Sequence, residues 1–174
     1  MDIQKNNVMK LCSFYVSDWH LVTMILPYIN KNINEKIKIS TILENDMRNN
    51  VEILLEKLNL KNKDKILEIN WNKNKEKNMK KVLEKNMINN SILIVNGSKD
   101  YIDEINKYID CYIEKIKQKE ENKINIKIIN CYEIVEFNGS IVEILDKHDK
   151  ILNTSGEKEI KEVFEDYDRK KKIG

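Results

Sequence analysis

The sequence predicts a three-layer α/β/α fold built on a mainly parallel sheet of five strands, or six if a carboxyl-terminal edge strand joins. Three observations carry this. Short apolar runs alternate with amphipathic helical segments along nearly the whole chain, which is the rhythm of strand, helix, strand units. The runs are continuously apolar where a half-exposed strand would alternate, so they belong to parallel strands buried on both faces. And 174 residues, 41% hydrophobic and 34% charged, supply one core but not two.

The first unit is the strand Val8 to Val16, with Ser17 or Asp18 capping a helix over Trp19 to Asn34. Pro27 lies inside that helix and predicts a kink or a second helix start, because proline removes a backbone donor. A second strand follows at Ile37 to Leu43. Asn45 or Asp46 then caps a helix whose Met47, Val51, Leu54, Leu55 and Leu58 recur at three- and four-residue spacing.

Lys65 to Trp71 reads as a third strand, and the lysine- and asparagine-rich stretch after it as a mobile loop before a helix ending near Asn90. Ser91 to Val95 is an apolar fourth strand. It ends at Asn96-Gly97-Ser98, and a long amphipathic helix from Tyr101 to Ile116 follows. The fifth strand is Ile124 to Cys131. Beyond Tyr132 to Phe137 and the turn Asn138-Gly139, the apolar segment Ile141 to Leu145 predicts a short helix, and Ile151-Leu152 an edge strand. The expected division is a domain over 1–156 with a carboxyl-terminal helix and basic tail over 157–174, the helix marked by Ile160, Val163, Phe164 and Tyr167 and the tail by Arg169 to Lys172.

Composition narrows function mostly by exclusion. Thirty-one basic residues stand against 29 acidic ones, so no general field favours nucleic acid or an anionic membrane, and DNA binding is not predicted. Cys12, Cys111 and Cys131 form no CxxC pair and have no histidine at ligand spacing, which predicts neither disulfides nor structural zinc. The first residues are polar and no apolar run approaches the ~20 residues of a membrane span, so the expected location is the cytoplasm.

In a parallel α/β sheet, ligands bind outside the carboxyl ends of the strands. There the sequence delivers Tyr15, Ser17, Asp18, Trp19 and His20 after the first strand, and Trp71 after the third. Asn96, Gly97 and Ser98 follow the fourth strand, and Tyr132 and Glu133 the fifth. The first turn lacks glycine and carries Asp18 where a phosphate loop needs amides and a lysine, which argues against ordinary ATP hydrolysis. Asn96-Gly97-Ser98 reads as a strand-to-helix turn with a serine cap, and a degenerate phosphate loop is its alternative.

Trp19 and Trp71 either wall a ligand pocket or close the end of the core. His20 and His148 carry no metal-ligand spacing, alone or with Asp18 or Glu133. His148, in Asp-Lys-His-Asp, reads as a surface histidine whose pKa the neighbouring carboxylates raise. Cys12 and Cys131 fall in strands and read as core residues, and no serine sits in a nucleophile elbow. No catalytic residue, metal or cofactor is predicted.

Two segments together resemble the MEDS domain, the sensory domain of methanogen and methylotroph regulators. One is Leu11-Cys12-Ser13-Phe14-Tyr15 with Leu26-Pro27-Tyr28-Ile29 after it. The other is Cys131-Tyr132-Glu133 leading through Phe137 and Ile141 to Leu145 to His148. The resemblance spans roughly residues 8 to 156. Lys10-Leu11 stands where that family commonly has a histidine, and Asp149 where a proline often follows the closing histidine. The resemblance implies a RecA-like variant of the Rossmann-like layout that has lost its phosphate loop and serves as a sensor in signal transduction or transcriptional regulation. Its partner would be a small molecule or a regulatory protein, and a homodimer stays open. Output in that family often comes from a fused module. Only about twenty residues follow the matched region here, so output is expected to need a separate partner. Two alternatives are an atypical nucleotide-binding protein or enzyme, and an interaction protein, for example a regulator of a sporulation or transcription factor, docking through its carboxyl-terminal helix.

Overall fold

The computed structural model describes residues 7–119, 124–134 and 141–167. Six strands form one sheet in the order β2-β3-β4-β1-β5-β6: β1 Asn7–Tyr15, β2 Lys38–Leu43, β3 Ser91–Gly97, β4 Asn125–Glu133, β5 Lys150–Asn153 and β6 Gly156–Lys158. The first five are parallel, and only the β5–β6 hairpin is antiparallel. The α/β class and the mainly parallel, helix-covered sheet are as the sequence predicts. All seven residues of β3 are buried, because strands flank it on both edges and helices cover both faces.

Two apolar clusters divide the helices. On one face, α1 (Asp18–Asn32), α2 (Arg48–Lys57) and α3 (Lys63–Leu67) pack over Leu11, Tyr15, Leu43, Ile92, Ile94 and Ile129. On the other, α4 (Met79–Asn86), α5 (Lys99–Lys117), α6 (Ile141–Asp146) and α7 (Ile160–Val163) pack over Cys12, Leu93, Val95, Ile126 and Ile128. In α5 the buried side chains are Ile102, Ile105, Ile109, Ile113 and Ile116, a single stripe at three- and four-residue spacing. Helix α1 buries a wider arc, because it touches the sheet on one side and α2 and α3 on the other.

The segment expected as the third strand departs most from the sequence reading. Residues 63–67 are helical, and Trp71 lies in a loop at the end of the first core cluster. Its alternation of apolar residues fits a strand, but the edge of β2 is used otherwise. Asn70 O accepts from Thr41 Oγ1, Asn74 N donates to Leu43 O at 2.8 Å, and Met47 N donates to Trp71 O at 2.8 Å. The chain thereby passes from one face of the sheet to the other around β2 and covers an otherwise open edge. The lysine- and asparagine-rich stretch expected as a mobile loop is thus pinned at its start, and Lys73 N also donates to Asp46 Oδ1 at 2.6 Å.

Smaller differences have equally local causes. Asp46 is spent on Lys73, so the residue preceding α2 is Met47, with no side-chain cap. Pro27 sits within α1 without ending it. The expected short helix and edge strand are α6 and β5. The carboxyl-terminal helix shortens to four residues, because Gly156–Lys158 pairs with β5 and Ile160 and Tyr167 turn into the second core cluster. The Asn138-Gly139 turn and the Arg169 to Lys172 tail lie outside the described residues.

Candidate functional site

Strands β1 and β4 are neighbours, yet α1, which follows β1, lies on one face of the sheet and α6, which follows β4, on the other. Their carboxyl ends therefore make a topological switch point. The predicted rim residues are found around it in different states.

Tyr15 ends β1 almost fully buried, and its hydroxyl accepts from Asn96 Nδ2 at 2.7 Å. Burial, followed by the nearby Glu133 carboxylate, pushes its pKa well above the usual tyrosine range. Glu133, half-buried, ends β4 opposite Tyr15. Ser17 caps α1 by accepting from His20 N at 3.1 Å, and Asp18 occupies the first turn. His20 Nδ1 accepts from Val16 N at 3.1 Å, so its ring closes the turn. Trp19 is 47% exposed.

Trp71, paired with Trp19 in the sequence reading, has no exposed surface and donates its indole N–H to Ile66 O at 2.8 Å. It closes the end of the core, the second of its two readings. Ser98 caps α5 as expected, accepting from Tyr101 N at 3.3 Å. The same turn also accounts for Gly97. Glu44 Oε1 accepts from Ser98 N at 2.8 Å, so a carboxylate of the chain itself already sits on the amino end of α5. A phosphate would have to displace it, which weighs against a degenerate phosphate loop here.

Tyr132 and His148 leave the rim for the helix-covered face. His148 is only 3% exposed, against the expectation of a surface turn. Its Nδ1 hydrogen goes to Ile144 O at 2.6 Å, since a carbonyl can only accept, and Nε2 therefore accepts from Asn130 Nδ2 at 3.0 Å. Desolvation, the largest effect, pushes its pKa down to about 4, opposite to the rise expected from the flanking aspartates. The ring stands edge-on to Tyr132, with centroids 5.9 Å apart.

From His148 a directed chain of hydrogen bonds runs to Lys10. Asn130 and Asn106 exchange amide bonds, Nδ2 to Oδ1 at 3.2 Å in one direction and 3.0 Å in the other. Asn106 Oδ1 also accepts from Lys10 Nζ at 2.9 Å, and Lys10 Nζ donates to Asp110 Oδ1 at 2.7 Å. Lys10 is held from behind as well: its amide donates to Asp149 Oδ2 at 2.9 Å and its carbonyl accepts from Asp149 N at 2.7 Å.

This chain floors a cleft of about 700 Å³ between α5 and the α6 end, over β4 and β1. The volume lies within the ~300–1,000 Å³ of small-molecule sites. Lys10, Asn106 and Asn130 were not among the sequence-predicted site residues. The available signal was their polarity within apolar contexts: Asn130 interrupts Ile128-Ile129 and Cys131, and Lys10 sits within a strand. No family model, curated protein or solved structure matches the chain.

Proposed function

We propose that this is a noncatalytic regulatory domain that binds a small ligand in the cleft floored by Lys10, Asn106, Asn130 and His148. The observation that carries the reading is the directionally fixed polar chain beneath an open cavity, buried at Asn130 and His148 and part-buried at Asn106 and Lys10. Burying such groups costs free energy that an apolar floor would avoid, and a ligand site gives that cost a use. The ionisable groups are held in states suited to recognition and poorly suited to proton transfer at neutral pH. His148 is kept neutral, and burial pushes Tyr132 well above the usual tyrosine range. Cys131 is buried with its thiol pushed far upward by desolvation, which makes it a poor nucleophile.

The MEDS resemblance supports the regulatory part of the reading. The two segments that carry it are brought together: Phe14 stands opposite Tyr132 in the β1–β4 register, and His148 packs on Tyr132. Amide chemical-shift mapping with a metabolite panel is the test. Ligand-dependent shifts gathered on Asn106, Asn130 and His148 would support the reading. Shifts confined to the Trp19 rim would move the site there, and silence across the panel together with no copurifying ligand in native mass spectra would overturn it.

A further inference from the structure

The two edges of the sheet are guarded differently. At one end, β6 is three residues long and carries Glu157 and Lys158, the short charged edge that discourages pairing. At the other end stands β2. Its ladder with β3 is parallel, with Lys38 N donating to Asn90 O and Glu44 N to Asn96 O, both at 3.0 Å. In such a ladder alternate residues face the neighbouring strand. Lys38, Ser40 and Ile42 therefore turn their backbone groups to β3, while Ile39, Thr41 and Leu43 turn theirs outward.

The wrap at residues 70–74 meets only part of that outward row. Asn74 N bonds Leu43 O, and Asn70 O accepts from the Thr41 hydroxyl. The backbone N–H and C=O groups of Ile39 and Thr41 make no hydrogen bond among the described residues. Beside them a groove of about 450 Å³ opens between β2 and α3, lined by Ile33, Ile37, Ile39 and Ile69 and flanked by Lys65 and Glu68. Ile33, Ile37 and Ile39 are only partly buried. Lys38, the one charged residue of β2, gives the groove no guard, because its ammonium donates to Lys85 O of α4 on the other face.

We propose that this half of the β2 edge docks a short extended segment of another protein, which adds a seventh strand beside Ile39 and Thr41. The backbone specifies the occupant: donors and acceptors alternating along one line are matched by the main chain of a strand. Every second side chain of that strand enters the isoleucine groove, so the segment alternates valine or isoleucine with polar residues. The open stretch from Ile37 to Thr41 is about 13 Å at 3.3 Å per residue. It ends where Asn74 fills the position beside Leu43. A second copy of β2 would bring its own wrap and its own Asn34–Ile37 turn to the same flanks, so a lone segment suits the opening better than an edge-to-edge dimer. The edge is separate from the cleft over β4 and β1, and neither reading depends on the other.

The probe is the capped pentapeptide acetyl-Lys-Val-Thr-Val-Lys-amide, titrated into the full chain and followed by amide chemical shifts and hydrogen exchange. In the free protein the amides of Ile39 and Thr41 should exchange faster than those of Ser40 and Ile42, and the peptide should shift and slow them. With its valines in the groove, an antiparallel segment turns the valine N–H groups to β2, and a parallel one turns those of threonine and lysine. Methylating the two valine nitrogens, or instead those of threonine and the second lysine, should therefore weaken binding by about tenfold in one case only. Ile39→Thr, which keeps a strand-forming residue, should also weaken the peptide by removing part of the apolar wall. The methylated peptides are read on the unaltered protein, so a poorly folded variant does not decide the result. Equal loss from both methylations, or loss from neither, overturns the proposal. So does a peptide that shifts neither amide. Slow exchange of Ile39 and Thr41 in the free protein overturns it too, and a dimer seen by light scattering would then assign the edge to a second copy.

Discussion

His148 Nε2 lies 3.0 Å from Asn130 Nδ2, and the amide can donate only to an imidazole that carries no proton there. The neutral ring is therefore built into the packing of α6 on the sheet. Its pKa, pushed down to about 4, makes stability depend on pH. Between roughly pH 4 and 6.5 the unfolded chain binds a proton that the folded one excludes, so the contribution is complete above 6.5 and is lost as pH falls toward 4. A shift of this size corresponds to about 3 kcal/mol. Denaturation of wild type and His148→Gln across that window should show a steeper loss for wild type; equal slopes would disprove the neutral buried ring.

Asn130 is the joint of the polar chain. Asn130→Leu keeps its size but leaves His148 Nε2 and the Asn106 amide without their partner, which should cost about 2–4 kcal/mol in urea unfolding. A loss below about 1 kcal/mol would mean that the chain contributes little.

The two tryptophans should behave oppositely. Trp71→Phe removes the bond to Ile66 O and opens space in the first core cluster, for a cost of about 2–4 kcal/mol. Trp19→Ala, at an exposed site, should stay within about 0.5 kcal/mol. Thermal melts of the pair would read the contrast.

Gly97 has φ +153°, and a Cβ there would meet Glu44 Oε1 at 2.7 Å, Glu44 Cβ at 2.8 Å and Tyr101 Cδ1 at 2.9 Å. Gly97→Ala should therefore destabilise by about 1–3 kcal/mol and free Glu44 from the amino end of α5. Unchanged stability would show that the turn can relax.

In the folded protein an aromatic disulfide reagent should titrate one thiol quickly, Cys111, because Cys12 and Cys131 are buried. Denaturant should release the other two. Three fast thiols in the native state would contradict the burial of β1 and β4.

By itself the sequence determined the layers. The continuous apolar run of β3, the apolar-rich segments of β1, β2 and β4, and the isoleucine stripe of α5 point to strands covered on both faces and a helix lying on one of them. It also placed the Ser98 cap and narrowed the α1 cap to Ser17 or Asp18, since capping is local chemistry read over three residues; the structure chose Ser17. Residues 65–71 were beyond it, because their apolar spacing suits a strand and only the open edge of β2 decides that they wrap around the sheet instead. The two tryptophans were equally ambiguous: both follow apolar runs, and burial depends on what packs above them. The cleft belongs wholly to the tertiary structure. Lys10, Asn106, Asn130 and His148 lie on four different segments, and β1–β4 pairing with α5 packed across it is what puts them within hydrogen-bonding distance. That same burial turned His148 from a surface residue with a raised pKa into a neutral core group, because desolvation outweighs the flanking aspartates once water is gone.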